Sequence, residues 1–304
     1  MLHGGRNDLS ASVADQETKP TDREGAGRPL VRTVIEPKHG FSALRLKEVW
    51  NYRELLSFLT WRDIKVRYKQ AVLGVAWAVL APLLTMVVFT IVFSRLLGVQ
   101  VPERYAGVPY PVFSYTGLLP WALFASALQK AGSSLVGSSS LLTKVYFPRL
   151  IIPMAGVVGG LPDFIISFAV LGGLMAYFGV APTWNVVWLP AFVLLALATA
   201  LAFGLWLSAL NVLYRDVGYI IPFLIQLWMY LSPVAYPIDN VEGPARILYG
   251  LNPMAGVIAG FRWALLGGKP PDTLILAATG IITVVLISGF FYFKRMERTF
   301  ADVV

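Results

Sequence analysis

This chain predicts an all-α integral membrane fold with six transmembrane helices, and three observations predict it. The composition is 57% hydrophobic and only 14% charged, whereas a soluble domain of this size carries roughly a quarter charged residues. Six apolar stretches recur between residues 71 and 293. The polar segments between them alternate between rich and poor in Lys and Arg, which is the pattern that orients a chain in a bilayer.

Taken in order, residues 1–43 are rich in charge, Gly, Pro, Ser and Thr, with too few large apolar residues to offset the entropy of ordering, so a disordered cytoplasmic tail is expected. No apolar run precedes residue 71, so no cleavable signal is expected and the amino terminus should stay inside. Over residues 44–70, Val49, Tyr52, Leu56 and Leu59 recur at helical spacing beside Arg53, Arg62, Lys65, Arg67 and Lys69. This predicts an amphipathic helix on the cytoplasmic leaflet. The membrane domain, 71–304, then holds spans at 71–97, 112–135, 150–178, 186–210, 219–236 and 273–293, each near or above the roughly 20 residues that cross a hydrocarbon core.

Between the spans, residues 136–149 read as a cytoplasmic loop with a short helix capped by Ser138–Ser140 and stopped by Pro148. The loop at 211–218 is short. Residues 238–272 form the longest connection, with Asn252 and Pro253 suited to an N-cap and a first helical position. The apolar run to Leu266 gives only about 21 Å of helix, too short to cross, so a re-entrant segment is expected before the last span.

Lys and Arg settle the orientation. Arg53, Arg62, Lys65, Arg67, Lys69, Lys130, Lys144, Arg149, Arg215, Lys294, Arg295 and Arg298 fall on the proposed inside, and outnumber Arg95, Arg104, Arg246, Arg262 and Lys269 outside. Both termini are therefore expected in the cytoplasm. The net charge of +8 reflects this bias and not affinity for nucleic acid.

Several chemistries are excluded. There is no cysteine, and the only histidines, His3 and His39, lie in the tail, so no membrane-embedded metal site or histidine base is expected. No glycine-rich phosphate loop ending in Gly-Lys-Ser or Gly-Lys-Thr occurs, so ATP is not bound by that motif. Carboxylates paired one residue apart occur only in the tail, as Asp15 with Glu17 and Asp22 with Glu24, which disfavours a membrane glycosyltransferase or polymerase. Asp163, the one acidic residue deep in a span, is either a structural partner satisfied by a neighbouring helix or a group facing a transport path. Standing alone it makes a thin proton relay. The aromatics Trp77, Phe89, Phe93, Tyr115, Trp121, Trp228 and Tyr230 read as interfacial belts, or else as stacking faces along a conduit for sugar rings.

Four ordered strings resemble one known family. They are W-R-D-I-K-V-R-Y-K-Q-A-V-L-G-V-A-W-A-V-L-A-P-L from Trp61, P-Y-P-V-F-S-Y-T-G-L-L-P-W from Pro109, L-L-T-K-V-Y-F-P-R-L-I-I-P from Leu141 and L-N-P-M-A-G-V-I-A-G-F-R-W-A-L-L-G from Leu251. Together with N-V-L-Y-R-D from Asn211, they resemble the ABC-2-type polysaccharide export permeases, membrane subunits of O-antigen, capsule or teichoic acid exporters. The resemblance covers about residues 45–300.

It implies a homodimer with a channel at the interface, paired with two copies of a separate ABC ATPase that binds ATP and Mg, no cofactor on this chain, and an undecaprenyl-diphosphate-linked polysaccharide as cargo in the inner membrane. It further implies that Leu141, Lys144, Tyr146, Phe147 and Arg149, with Arg215 and Asp216 nearby, couple to the ATPase. Asn252, Pro253, Phe261, Arg262 and Trp263 would form an outer gate. Arg62, Lys65, Arg67 and Lys69 would receive the lipid diphosphate at an inner gate, where cations suit such a headgroup. On the helix Arg62, Lys65 and Lys69 share a face and Arg67 lies to one side. An ABC-2 exporter of another lipid or a drug is the alternative within the family.

Overall fold

The computed structural model describes residues 46–69, 72–145, 147–237, 249–271, 273–297 and 299–300, and every regular element among them is helical. The expected tail at 1–43 lies outside the described residues. Two helices precede the membrane domain, α1 (Leu46–Asn51) and α2 (Arg53–Lys69). Leu55, Leu56 and Leu59 of α2 pack with Phe147, Ile151 and Ile152. Phe58, Trp61 and Val66 are exposed on the same helix, so α2 is apolar on two sides and not on one. Such a helix suits a position between a protein surface and lipid.

Among the described residues, five helical segments are long and apolar enough to cross a membrane: Ala76–Leu96, Tyr110–Gly137, Ile151–Tyr177, Trp184–Leu213 and Ile275–Met296. The first consists of α3 (Val72–Phe89) closed by a π-helical turn, Thr90–Leu96. The second is the single helix α4 (Tyr110–Gly137). After the short α5 (Ser139–Lys144), the third is split into α6 (Ile151–Val158) and α7 (Leu161–Tyr177) at Gly159 and Gly160, just before Pro162. A 3-10 turn, Trp184–Trp188, leads into α8 (Leu189–Leu213). The last long segment is α11 (Thr273–Met296).

The span expected at 219–236 takes a different form. Helix α9 runs only from Val217 to Tyr230 and is followed by turns through Tyr236. Its end has a physical cause: Pro233 cannot continue a helix, and the Leu231 carbonyl is taken by Nδ2 of Asn252 at 3.0 Å. Helix α10 (Pro253–Leu266) follows where a short helix was expected, capped by Asn252, whose side chain accepts from the Met254 N–H. Both α9 and α10 have 14 residues, or about 21 Å of helix each.

Helix α4 is the hub. Of its apolar window 78% is buried, against 6% for the first span, so α4 is packed inside protein and α3 faces outward. It contacts α8, α6, α10, α7, α3 and α9. Small residues allow this crowding: a Cβ on Gly204 would stand 2.7 Å from the Ala131 Cβ, and one on Gly156 would stand 3.0 Å from the Lys130 backbone. Gly156 and Gly160 stand four residues apart in the third span, a small-xxx-small spacing, and Gly156 serves close helix approach.

Candidate functional site

A cavity of about 280 Å³ opens between α2, α4 and α6. Each helix lines it with one face. From α4 come Lys130, Ser133, Ser134 and Gly137, and from α6 come Ile152, Ala155, Gly156 and Gly159, both sets spaced i, i+3, i+4, i+7. Helix α2 adds Leu59, Arg62, Asp63, Ile64, Arg67 and Tyr68. The small residues on α6 keep the cavity open, Leu59, Ile64 and Ile152 give it apolar wall, and the hydroxyls and cations on α2 and α4 add polar groups.

Asp163, in the first turn of α7, ties these helices together. Its carboxylate accepts from Nη1 of Arg67 at 2.6 Å and from the Tyr68 hydroxyl at 2.5 Å, and Nζ of Lys130 lies 3.6 Å away. Lys130 also donates to the Gly159 carbonyl at 2.6 Å, in the break between α6 and α7. The Asp163 side chain is only 22% exposed, and two cations and a hydroxyl surround it. Burial, and then the bond to Asp163, push the Tyr68 hydroxyl up to about 12. Tyr68 is thus a neutral donor across the physiological range. Arg62 is held by its neighbour Asp63 through Nε and Nη2 at 2.9 and 2.8 Å.

The structural reading of Asp163 therefore has its partners, on the neighbouring helices α2 and α4. Arg67, expected off the cationic face, is at the centre of the cluster. Lys65 and Lys69 are exposed and do not line the cavity. Lys130 belongs to the site and was legible only as an orientation charge. The signal that could have found it is its spacing with Ser133, Ser134 and Gly137, a polar stripe inside an otherwise apolar helix.

The aromatic candidates divide by burial. Tyr115 and Trp121 are core residues, with the Tyr115 hydroxyl donating to the Ser167 carbonyl, so neither offers a face to a conduit within this chain. Phe89 packs against the same core and Phe93 against Tyr105, Tyr110 and Phe113. Trp228 stacks edge-on with Phe124 and Phe203 and donates to Oδ1 of Asn252 at 2.9 Å. Trp77 and Tyr230 are exposed.

At the other end, the expected outer-gate residues form a compact plug. Phe261 is fully buried, and Arg262, expected on the outer surface, is buried instead, donating to the Val234 carbonyl at 2.6 Å. Pro253 is buried and Trp263 packs against the main core. In the expected coupling segment, Leu141 is half-buried, Lys144 and Val145 are exposed, and Tyr146 lies outside the described residues. Phe147 points inward against Leu59, Leu135 and Ile151, so it braces the fold and leaves the exposed patch to its neighbours. Arg149 reaches the Glu297 carbonyl after α11. Tyr214, Arg215 and Asp216 are exposed together between α8 and α9.

A family model described as the ABC-2 type transporter matches residues 54–266. The chain belongs to the ABC-2 type transporter family. The matched region runs from the second residue of α2 to the last of α10, so it contains the α2–α4–α6 cavity and the plug. Among ABC-2 relatives, the chain is 33% identical over 257 residues to the O-antigen export system permease protein RfbA of Myxococcus xanthus, covering 83% of this chain and 96% of that protein. It is 30% identical over 254 residues to a protein of the same name from Klebsiella pneumoniae, covering 83% and 95%. A second Klebsiella pneumoniae protein of that name is 27% identical over 254 residues, with the same coverage.

Proposed function

We propose that this chain is the membrane subunit of an ATP-driven exporter of lipid-linked polysaccharide in the inner membrane. Two copies pair around a conduit, and two separate ATPase chains bind ATP and Mg and drive it. This chain itself is a transport subunit and not an enzyme. In this reading α9 provides a sixth, interrupted crossing, α10 dips into the membrane and returns, and both termini lie in the cytoplasm. Near full-length similarity to O-antigen export permeases supports the cargo class.

The observation that carries the reading is the cavity where α2 meets α4. A polyprenyl diphosphate carries its charge at the membrane surface, and Arg62, Arg67 and Lys130 lie around a polar space beside a bundle of apolar helices. Cations in that place suit a phosphate headgroup whose tail remains in lipid. Lys65 and Lys69, exposed on the same helix, fit contact with anionic lipid.

The test is genetic and chemical. Removal of the gene should leave polyprenyl-linked glycan on the inner face of the membrane, protected from an added glycosidase in intact spheroplasts, and re-expression should restore surface glycan. Unchanged surface glycan without the gene would overturn the reading. Accumulation of a lipid or drug without glycan would favour another ABC-2 cargo.

A further inference from the structure

We propose that Asp163 is a displaceable counter-ion: it holds α2 against α7 by occupying Arg67, Tyr68 and Lys130, and a lipid diphosphate entering the α2–α4–α6 cavity takes Arg67 and Lys130 over and frees α2. This deepens the export reading above and rests on it.

The cavity contains three cations and two carboxylates nearby. Arg62 is occupied by Asp63, while Arg67 and Lys130 converge on Asp163 from different helices. Such a site is already assembled for an anion, but its positive charges are partly cancelled by the chain itself. An exposed pair between adjacent residues such as Arg62 and Asp63 contributes little and yields readily. A diphosphate brings more charge and more acceptor oxygens than one carboxylate, and so competes for the same guanidinium and ammonium. Ser133 and Ser134 line the space beside Lys130; their hydroxyls donate to the Gln129 and Ala131 carbonyls and would turn from these to donate to a ligand oxygen.

The exchange has a mechanical consequence because the partners sit on different elements. Arg67 and Tyr68 are the last turn of α2, whereas Asp163 opens α7 and Lys130 is in α4, seven residues before that helix ends at Gly137. While Asp163 holds Arg67 and Tyr68, the end of α2 is fixed against the bundle. Once a ligand holds Arg67 and Lys130, that tether is released, and the last turn of α2 can move. Ligand occupancy is thereby converted into freedom of the helix that borders the cavity.

The experiment uses the purified full-length chain in detergent micelles, with farnesyl diphosphate and inorganic diphosphate as probes. Wild type should bind farnesyl diphosphate, and Lys130→Gln and Arg67→Gln should each bind it roughly tenfold more weakly. Asp163→Asn keeps the shape and removes the competing charge, so it should bind several-fold more tightly. Tyr68→Phe, which leaves every charge in place and loosens only the tether, should also bind more tightly and covers the case in which Asp163→Asn does not fold. A spin label on a cysteine at Val66, which is exposed on α2, should gain mobility when farnesyl diphosphate binds.

If wild type binds the probe but Asp163→Asn and Tyr68→Phe bind no more tightly and the label does not loosen, Asp163 is only a brace and the counter-ion proposal falls while the export reading stands. If wild type fails to bind farnesyl diphosphate, the counter-ion proposal falls, while the export reading is decided by the gene-removal experiment. Equal affinity for inorganic diphosphate would overturn the assignment to a lipid carrier.

Discussion

The guanidinium of Arg262 lies over the ring of Phe113, with its central carbon 3.9 Å from the ring centroid. Nη2 of the same group donates to the Val234 carbonyl, so one buried cation joins α10, α4 and the turns after α9. Gly117 is what admits it: a Cβ there would stand 2.7 Å from that nitrogen and 2.8 Å from the Val234 oxygen. Arg262→Met should therefore lower stability by about 2 kcal/mol, through the lost desolvated cation–ring contact and the carbonyl left without its donor. Gly117→Ala should act in the same direction by pushing the guanidinium off. Thermal unfolding in detergent reads both, and a melting temperature unchanged in either variant would refute the contact's importance.

Asn252 is the second joint of that region. Its Oδ1 accepts from the Met254 N–H and the Trp228 indole, while Nδ2 donates to the Leu231 carbonyl and to Oγ of Ser232. Asn252→Ala loses the cap, worth about 1 kcal/mol by itself, together with three ties to α9 and its turn. Asn252→Asp retains both acceptor bonds and loses both donations, so it should fall between wild type and Asn252→Ala. A melting series in any other order would mean that the cap and not the cross-links dominates.

How much of this was legible in the sequence depended on the kind of signal. The long apolar runs gave α4, α8 and α11 within a few residues, because a hydrophobic stretch near 20 residues has few other solutions. Asn252 followed by Pro253 gave the start of α10, because side-chain capping is local chemistry. The early end of α9 was hidden, because it depends on Asn252 reaching back from beyond the turn as well as on Pro233. Arg262 read as an outer surface charge, since nothing in the sequence places Phe113 and Gly117 beside it. The Asp163 cluster was half visible: the buried carboxylate demanded a partner, but the choice of Arg67 and Lys130 over Lys65 and Lys69 comes from how α2 lies across α4 and α6.

Contact with the ATPase is tested best at Val145. Phe147 is buried among Leu59, Leu135 and Ile151, and truncating a buried aromatic costs about 3–5 kcal/mol, so Phe147→Ala should lower stability and confuse any coupling assay. Val145 is 53% exposed beside the exposed Lys144, and an exposed apolar side chain on the turn that the export reading puts in the cytoplasm suits a partner surface. Val145→Asp should leave the melting temperature within about a degree or two of wild type, since surface substitutions usually change stability little. It should nonetheless reduce copurification of the ATPase or uncouple hydrolysis from export. Wild-type assembly and export in Val145→Asp would remove this surface from the proposed contact.

Orientation follows from the Lys and Arg bias and can be read directly, because the chain has no cysteine and single cysteines can be placed at will. Ser139 begins α5, immediately after α4 ends at Gly137, and Glu103 lies in the segment between the π-helical turn and the start of α4. The 28 residues of α4 span about 42 Å at 1.5 Å per residue, enough to cross the hydrocarbon core and put Glu103 and Ser139 on opposite sides. With Lys144 and Arg149 on the Ser139 side and Lys294 and Arg295 ending α11, the positive-inside pattern predicts that Ser139 lies in the cytoplasm. In intact spheroplasts Glu103→Cys should react with an impermeant maleimide, and Ser139→Cys should react only after the membrane is opened. The reverse pattern would invert the topology, place the Arg62–Arg67–Lys130 cavity on the outer face, and remove the inner-gate reading with it.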